Sequence, residues 1–114
     1  MDLLEGVQVA VDDRGIATVT FAHPQSNSLP GEVLASLASE ITTLGGRPDV
    51  KVLVLKSAGN RAFCAGASFD ELIAISDEAE GFEFFSGFAR VINALRTIPQ
   101  LVIGRVQGKA VGGG

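Results

Sequence analysis

Residues 50–55, VKVLVL, form a nearly continuous apolar and β-branched run between two segments of helical periodicity. A strand with one wet face would show a polar residue at every second position. A run with a single polar interruption is the pattern of a strand buried on both faces, as in parallel sheets. Parallel strands cannot be joined by a tight turn and need a crossover, which the flanking helical segments supply. This one run therefore predicts βαβ units and an α/β fold.

The remainder of the chain is consistent with that reading. Residues 8–11 and 16–21 are rich in β-formers and flank Asp12-Asp13-Arg14-Gly15, a turn composition with glycine placed to take positive φ, so a hairpin opens the chain. Residues 21–28 interrupt regular structure, because Pro24 biases His23 away from helix and the Ser and Asn residues suit turns; Pro30 then stands at a first helical position. From Glu32, the apolar residues Val33, Leu34, Leu37, Ala38, Ile41 and Leu44 recur at helical spacing until Gly45-Gly46 and Pro48 end the run. Residues 57–61 form the exit turn of the apolar strand. Residues 69–75 predict two short turns of helix, and Ser76-Asp77-Glu78 a cap with an acidic first turn. A longer helix follows, with Phe82, Phe85, Phe88, Ala89, Ile92 and Leu95 on one stripe, ended by Pro99. That stripe is expected to be core or subunit interface. Residues 101–106, LVIGRV, are the last strand. No repeat or linker divides the 114 residues, enough for one domain with its own core.

Composition narrows the function classes. With 46% apolar and 19% charged residues, the chain can bury a core and is not a disordered segment. A net charge of −4, with nine scattered basic residues, offers no stripe for a phosphate backbone, so nucleic acid is not an expected partner. The single cysteine, Cys64, excludes an intrachain disulfide framework and a CxxC metal site, and no metal is expected. The first residues carry no basic leader, and no apolar run reaches bilayer length, so a cytoplasmic protein without membrane contact is expected.

Two glycine-bearing segments stand out, AFCAGAS at residues 62–68 and GKAVGGG at 108–114, each after an apolar strand. Where a strand hands over to a helix, such loops expose backbone N–H groups that no ladder has used, and these can hold developing negative charge. The plainer readings are a tight turn for the first and a simple chain tail for the second. A phosphate-binding Walker loop is excluded by spacing, since it would need glycine at Ile103 and Ser or Thr at Ala110. Cys64 has no nearby base and reads as a small buried hydrophobe, while Ser68, in Gly-Ala-Ser, could serve a serine hydrolase only with a His or Lys partner that the local sequence does not offer. His23 reads as a turn residue. Asp70 and Glu71 point to different faces of a helix and read as a solvated first turn, and Glu80 and Glu83 as surface residues.

Taken together, Ile16 to Phe21 with His23-Pro24 and Asn27-Ser28-Leu29, then Val52 to Leu55 leading to Ala62-Phe63-Cys64-Ala65-Gly66-Ala67, then Val102-Ile103 to Gly108 and Gly112-Gly113-Gly114, resemble the crotonase family of enoyl-CoA hydratases and isomerases. The likeness runs in order through nearly the whole chain. It implies a crotonase-like spiral of repeated ββα units, of which residues 1–114 would be one incomplete domain, the N-terminal half that carries CoA binding and the oxyanion hole. It implies assembly as homotrimers or hexamers, and acyl-CoA thioester substrates with no separate cofactor, coenzyme A being part of the substrate. The thioester oxygen would be held by two backbone amides, those of Ala67 and Gly113. The backbone around Ala65, Gly66, Ser68, Phe69 and Asp70 would contact coenzyme A, with Ser26, Asn27, Ser28 and Leu29 lining the same channel. Ser68 stands where many members carry aspartate. The family's catalytic glutamates fall beyond Gly114, so the resemblance names no acid or base here and the chain alone is expected not to turn over crotonyl-CoA. Hydration is the implied outcome, with isomerisation, decarboxylation and hydrolysis as variants. A degenerate CoA-binding or structural subunit is the alternative, and a hydrolase using Ser68 a weaker one.

Overall fold

The computed structural model describes residues 6–24 and 26–114. Residues 1–5 and Gln25, the latter within the expected irregular stretch 21–28, lie outside the described residues.

Strand β1 (Gly6–Val11) pairs antiparallel with β2 (Ile16–Ala22), Val9 facing Val19. The turn between them is built as its composition predicts. Asp12 Oδ1 accepts the N–H groups of Arg14 and Ile16 at 2.8 and 3.0 Å, and Gly15 has φ 84°. Helix α1 (Gly31–Gly45) follows, and all six apolar residues of the predicted stripe are buried. Pro30 lies one position earlier than expected, as the extended N-cap with φ −76° and ψ 165°.

The first crossover delivers β3 (Val52–Ser57) parallel to β2, and the second, through α2 (Phe69–Ala74) and α3 (Glu78–Thr97), delivers β4 (Leu101–Arg105) parallel to β3. Strand order is β1-β2-β3-β4. Both later helices start on side-chain caps: Ser68 accepts from Glu71 N–H, and Asp77 from Glu80 N–H at 2.8 Å. The core lies between the sheet face carrying Ala17, Val19, Phe21 and Leu53 and the buried side of α1, with α3 packed along α1. Phe21 and Phe63 close one end of it edge to face, ring centroids 5.3 Å apart. Gln100, just before β4, donates Nε2–H to the carbonyls of Leu44 and Val50 at 3.1 and 3.3 Å, tying the end of α1 to the start of β4.

Two expectations are corrected. The run at 50–55 is covered on one face only. Pairing sets Ile16, Val52 and Leu101 in one row and Thr18, Val54 and Ile103 in the next, on the face away from α1, where Leu101 is 65% and Ile103 46% exposed. Among the described residues no layer covers that face. The α3 stripe also faces the other way. Phe84, Gly87, Val91 and Ala94 are the buried positions, while Phe82, Phe85 and Ile92 are exposed and only Phe88 and Leu95 of the expected stripe pack partly on the core. The close approach of α1 decides this: a Cβ on Gly87 would stand 3.3 Å from Leu34 Cβ, so the helix turns the face that carries Gly87 and Ala94, with Phe84 as its one large aromatic, toward its neighbour.

Candidate functional site

Because β3 and β4 are adjacent and parallel, their C-terminal ends release two loops side by side. These are the two glycine-rich segments, and hydrogen bonds join them. Phe63 and Cys64 donate to Lys109 C=O at 2.9 and 3.2 Å, and Val111 donates to Cys64 C=O at 3.1 Å. On its other side the first loop is bridged to the segment before α1. Leu29 donates to Gly66 C=O at 2.7 Å, and Ser68 donates to Leu29 C=O at 3.1 Å.

The second bridge fixes a direction. In a parallel pairing, the residue flanked by both hydrogen bonds turns its own N–H and C=O to the opposite side. Ala67 is that residue, so its amide faces away from Leu29. In the second loop, Gly114 donates to Val111 C=O at 2.8 Å, closing a tight turn with Gly112 at φ 56°. The closing bond of such a turn does not use the N–H of either central residue, Gly112 or Gly113. Among the described residues neither the Ala67 nor the Gly113 N–H has an acceptor.

Gly66 brings the two together. It has φ 87°, and a Cβ placed on it would lie 3.0 Å from both Gly113 N and Val111 O. Only a residue without a side chain lets the turn approach so closely in that backbone conformation. The Phe88 ring supports the turn from behind, 3.1 Å from where a Gly113 Cβ would stand. The result is a junction of two loops with two unpaired donors beside it.

The other predicted site residues surround this junction in different ways. Asn27, Ser28, Leu29 and Ser68 are buried, whereas Ser26, Phe69 and Asp70 are exposed and Ala65 is half-buried. Asn27 takes φ 58°; its Oδ1 accepts His23 N–H at 2.9 Å and its Nδ2 donates to Ala58 and Ala62 C=O at 3.3 and 2.9 Å. Its side chain is thus wholly used in holding three backbone segments together. Ser68 Oγ serves as the cap of α2, and neither His nor Lys is among its hydrogen-bond partners. Cys64 is buried with Sγ accepting Gly66 N–H at 3.4 Å, and burial pushes its thiol above the ordinary range, as befits a packing residue. Beside the loop, His23, Ser26, Asn60 and Arg61 border a cavity of about 340 Å³.

Glu71 corrects the sequence reading. It lies in the first turn of α2 as expected, but its carboxylate is not left to solvent: it accepts the Gly31 N–H, at 2.9 Å to Oε1 and 3.2 Å to Oε2. Periodicity could not show this, since the partner lies 40 residues away and Pro30 masks the missing cap. Among the described residues there is no cluster of three or more His, Cys, Asp or Glu that could hold a metal ion, and no helix is long and apolar enough to cross a membrane.

Residues 12–114 match the sequence profile of the enoyl-CoA hydratase/isomerase family. The chain belongs to this family. Its fold is that of the crystal structure of enoyl-CoA hydratase from Bacillus anthracis, with a TM-score of 0.88 at 27% identity over 96% of this chain and 43% of that one. It is 30% identical over 109 residues to ethylmalonyl-CoA decarboxylase of Xenopus laevis, covering 95% of this chain and 36% of the relative. It is 31% identical over 109 residues to a (7aS)-7a-methyl-1,5-dioxo-2,3,5,6,7,7a-hexahydro-1H-indene-carboxyl-CoA hydrolase of Rhodococcus jostii, covering 96% of this chain and 42% of the relative. This family member therefore spans less than half the length of the curated relatives it matches.

Proposed function

We propose that the protein carrying this chain acts on acyl-CoA thioesters, and that the N–H groups of Ala67 and Gly113 hold the thioester oxygen as it gains enolate charge. The observation that carries the reading is the pair of unpaired donors where Gly66 meets the Val111–Gly114 turn. Fixed donors aimed at developing charge lower a barrier without reorganising, and losing one typically costs about 3–4 kcal/mol. Backbone donors also explain a site without a visible catalytic side chain.

Coenzyme A would run along residues 65–70 and 26–29. Contact there would come mainly from main-chain atoms and from Ser26, Phe69 and Asp70, because Asn27, Ser28, Leu29 and Ser68 bury their side chains. Hydration is the outcome we assign, with the acid and base supplied beyond Gly114 in a homotrimeric or hexameric, cytoplasmic assembly and no separate cofactor. Relatives named for decarboxylation and hydrolysis share this segment, which supports assigning the choice of reaction to groups outside the junction.

The test uses the whole protein and a non-reactive acyl-CoA. Binding is expected to move the thioester carbonyl band to lower frequency. Gly66→Ala forces a Cβ against Gly113 N, and is expected to abolish that shift and lower kcat on the order of 10²- to 10³-fold. An unchanged kcat would refute the reading. A carbonyl shift without any turnover would instead identify a degenerate acyl-CoA-binding subunit.

A further inference from the structure

Glu71 sits on α2, three residues after Ser68, and its carboxylate grips the first N–H of α1. The N-cap of α1 is Pro30, whose side chain has no oxygen to accept a backbone N–H, so the acceptor comes from another helix. The grip is close, since a Cβ on Gly31 would lie 3.0 Å from Glu71 Oε1. A carboxylate suits that place, where the unpaired N–H groups of a helix start leave partial positive charge.

What this contact fastens gives it a role. Gly31 lies two residues after Leu29, and Leu29 is the residue that brackets Ala67 with two backbone hydrogen bonds. The Leu29–Gly31 segment is therefore held at one end by Gly66 and Ser68 and at the other by Glu71. Two hydrogen bonds alone form a hinge about which the short bridge can swing. The third contact, offset along the chain, removes that freedom and fixes the direction of the Ala67 N–H.

We propose that Glu71 is a positioning residue for the Ala67 amide. This inference rests on the reading of Ala67 as an oxyanion donor. It makes no contact with substrate part of the role. Any acceptor of the same length should serve in part, so Glu71→Gln keeps an oxygen for Gly31 N–H while Glu71→Ala removes it.

The experiment compares the whole protein with its E71A and E71Q variants. Hydrogen exchange in the absence of ligand is expected to quicken at the Gly31, Leu29 and Ser68 amides in E71A and to stay near wild type in E71Q. Steady-state kinetics on an acyl-CoA substrate are expected to show kcat lowered on the order of 10- to 100-fold in E71A with KM little changed, and largely restored in E71Q, as a misplacement of a donor predicts. Unchanged exchange in E71A overturns the proposal, as does a loss of kcat shared equally by both variants. If the wild-type protein binds no acyl-CoA, the oxyanion reading falls and this proposal with it. The exchange arm still shows in that case whether the clamp exists.

Discussion

Cys64 lies at the junction of the two loops, and the fold changes the ionisation of its thiol. Burial raises its pKa above the ordinary 9.0, against a smaller lowering by the Gly66 N–H. The sign follows from linkage: the unfolded chain releases its thiol proton first, so the folded state holds more protons once the pH passes the ordinary thiol value. Stability is therefore expected to fall as pH rises above about 9.0, and Cys64→Ala should flatten that part of the profile. Urea midpoints of both proteins, measured from neutral to alkaline pH, check it; parallel profiles would show that the thiol is not desolvated. At this scale the sequence was readable where a residue acts locally. Gly15, Asp12 and Asp77 all perform the turn or cap their composition implies, whereas the cap that Ser68 gives α2 was not among the readings of that residue. It was silent where the partner is distant: Glu71 reaches Gly31 across 40 positions, and Asn27 reaches Ala62 across 35. Those pairings exist only after the sheet has formed.

Among the elements, α3 shows where periodicity misleads. Two stripes coexist on this helix, one rich in phenylalanine and one built of Phe84, Gly87, Val91 and Ala94. The first has the greater apolar weight, yet the second faces α1, because a Gly and an Ala permit close approach. The two make opposite predictions. Phe84→Ala, at 7% exposure, is expected to cost about 3–5 kcal/mol of unfolding free energy. Phe82→Ala, at 75% exposure, should stay within about 0.5 kcal/mol. Chemical denaturation of the two variants separates them, and equal losses would restore the phenylalanine stripe to the core. Helix α1 had no such rival pattern, and each of its six predicted apolar positions is buried.

For the molecule as a whole, apolar side chains lie open among the described residues, including Leu101 and Ile103 on the far face of the sheet and Phe82, Phe85 and Ile92 on α3. Contiguous exposed apolar surface is unusual on a soluble monomer. Expressed alone, residues 1–114 are expected to self-associate and to bind a hydrophobic dye. Light scattering behind size exclusion checks this, and a dye-negative monodisperse monomer would show that the faces are closed in solution. The α/β class, the element order and the parallel pairing could be read from residue patterns. Which strand face would be covered could not, because an apolar run states only that a face avoids water.

The ladder between β3 and β4 has a consequence for how this site can change. Residues Val52 to Lys56 pair in unbroken register with Leu101 to Arg105, and neighbouring strands are held about 4.8 Å apart. The sheet thus works as a ruler that sets where each loop begins, and the two donors inherit their spacing from it. Side chains in either loop can be exchanged without moving the scale. A slip of one residue in the pairing would displace one loop by about 3.3 Å along its strand, farther than a hydrogen bond can stretch. Drift in residue type should therefore be tolerated at this junction far better than any change in length.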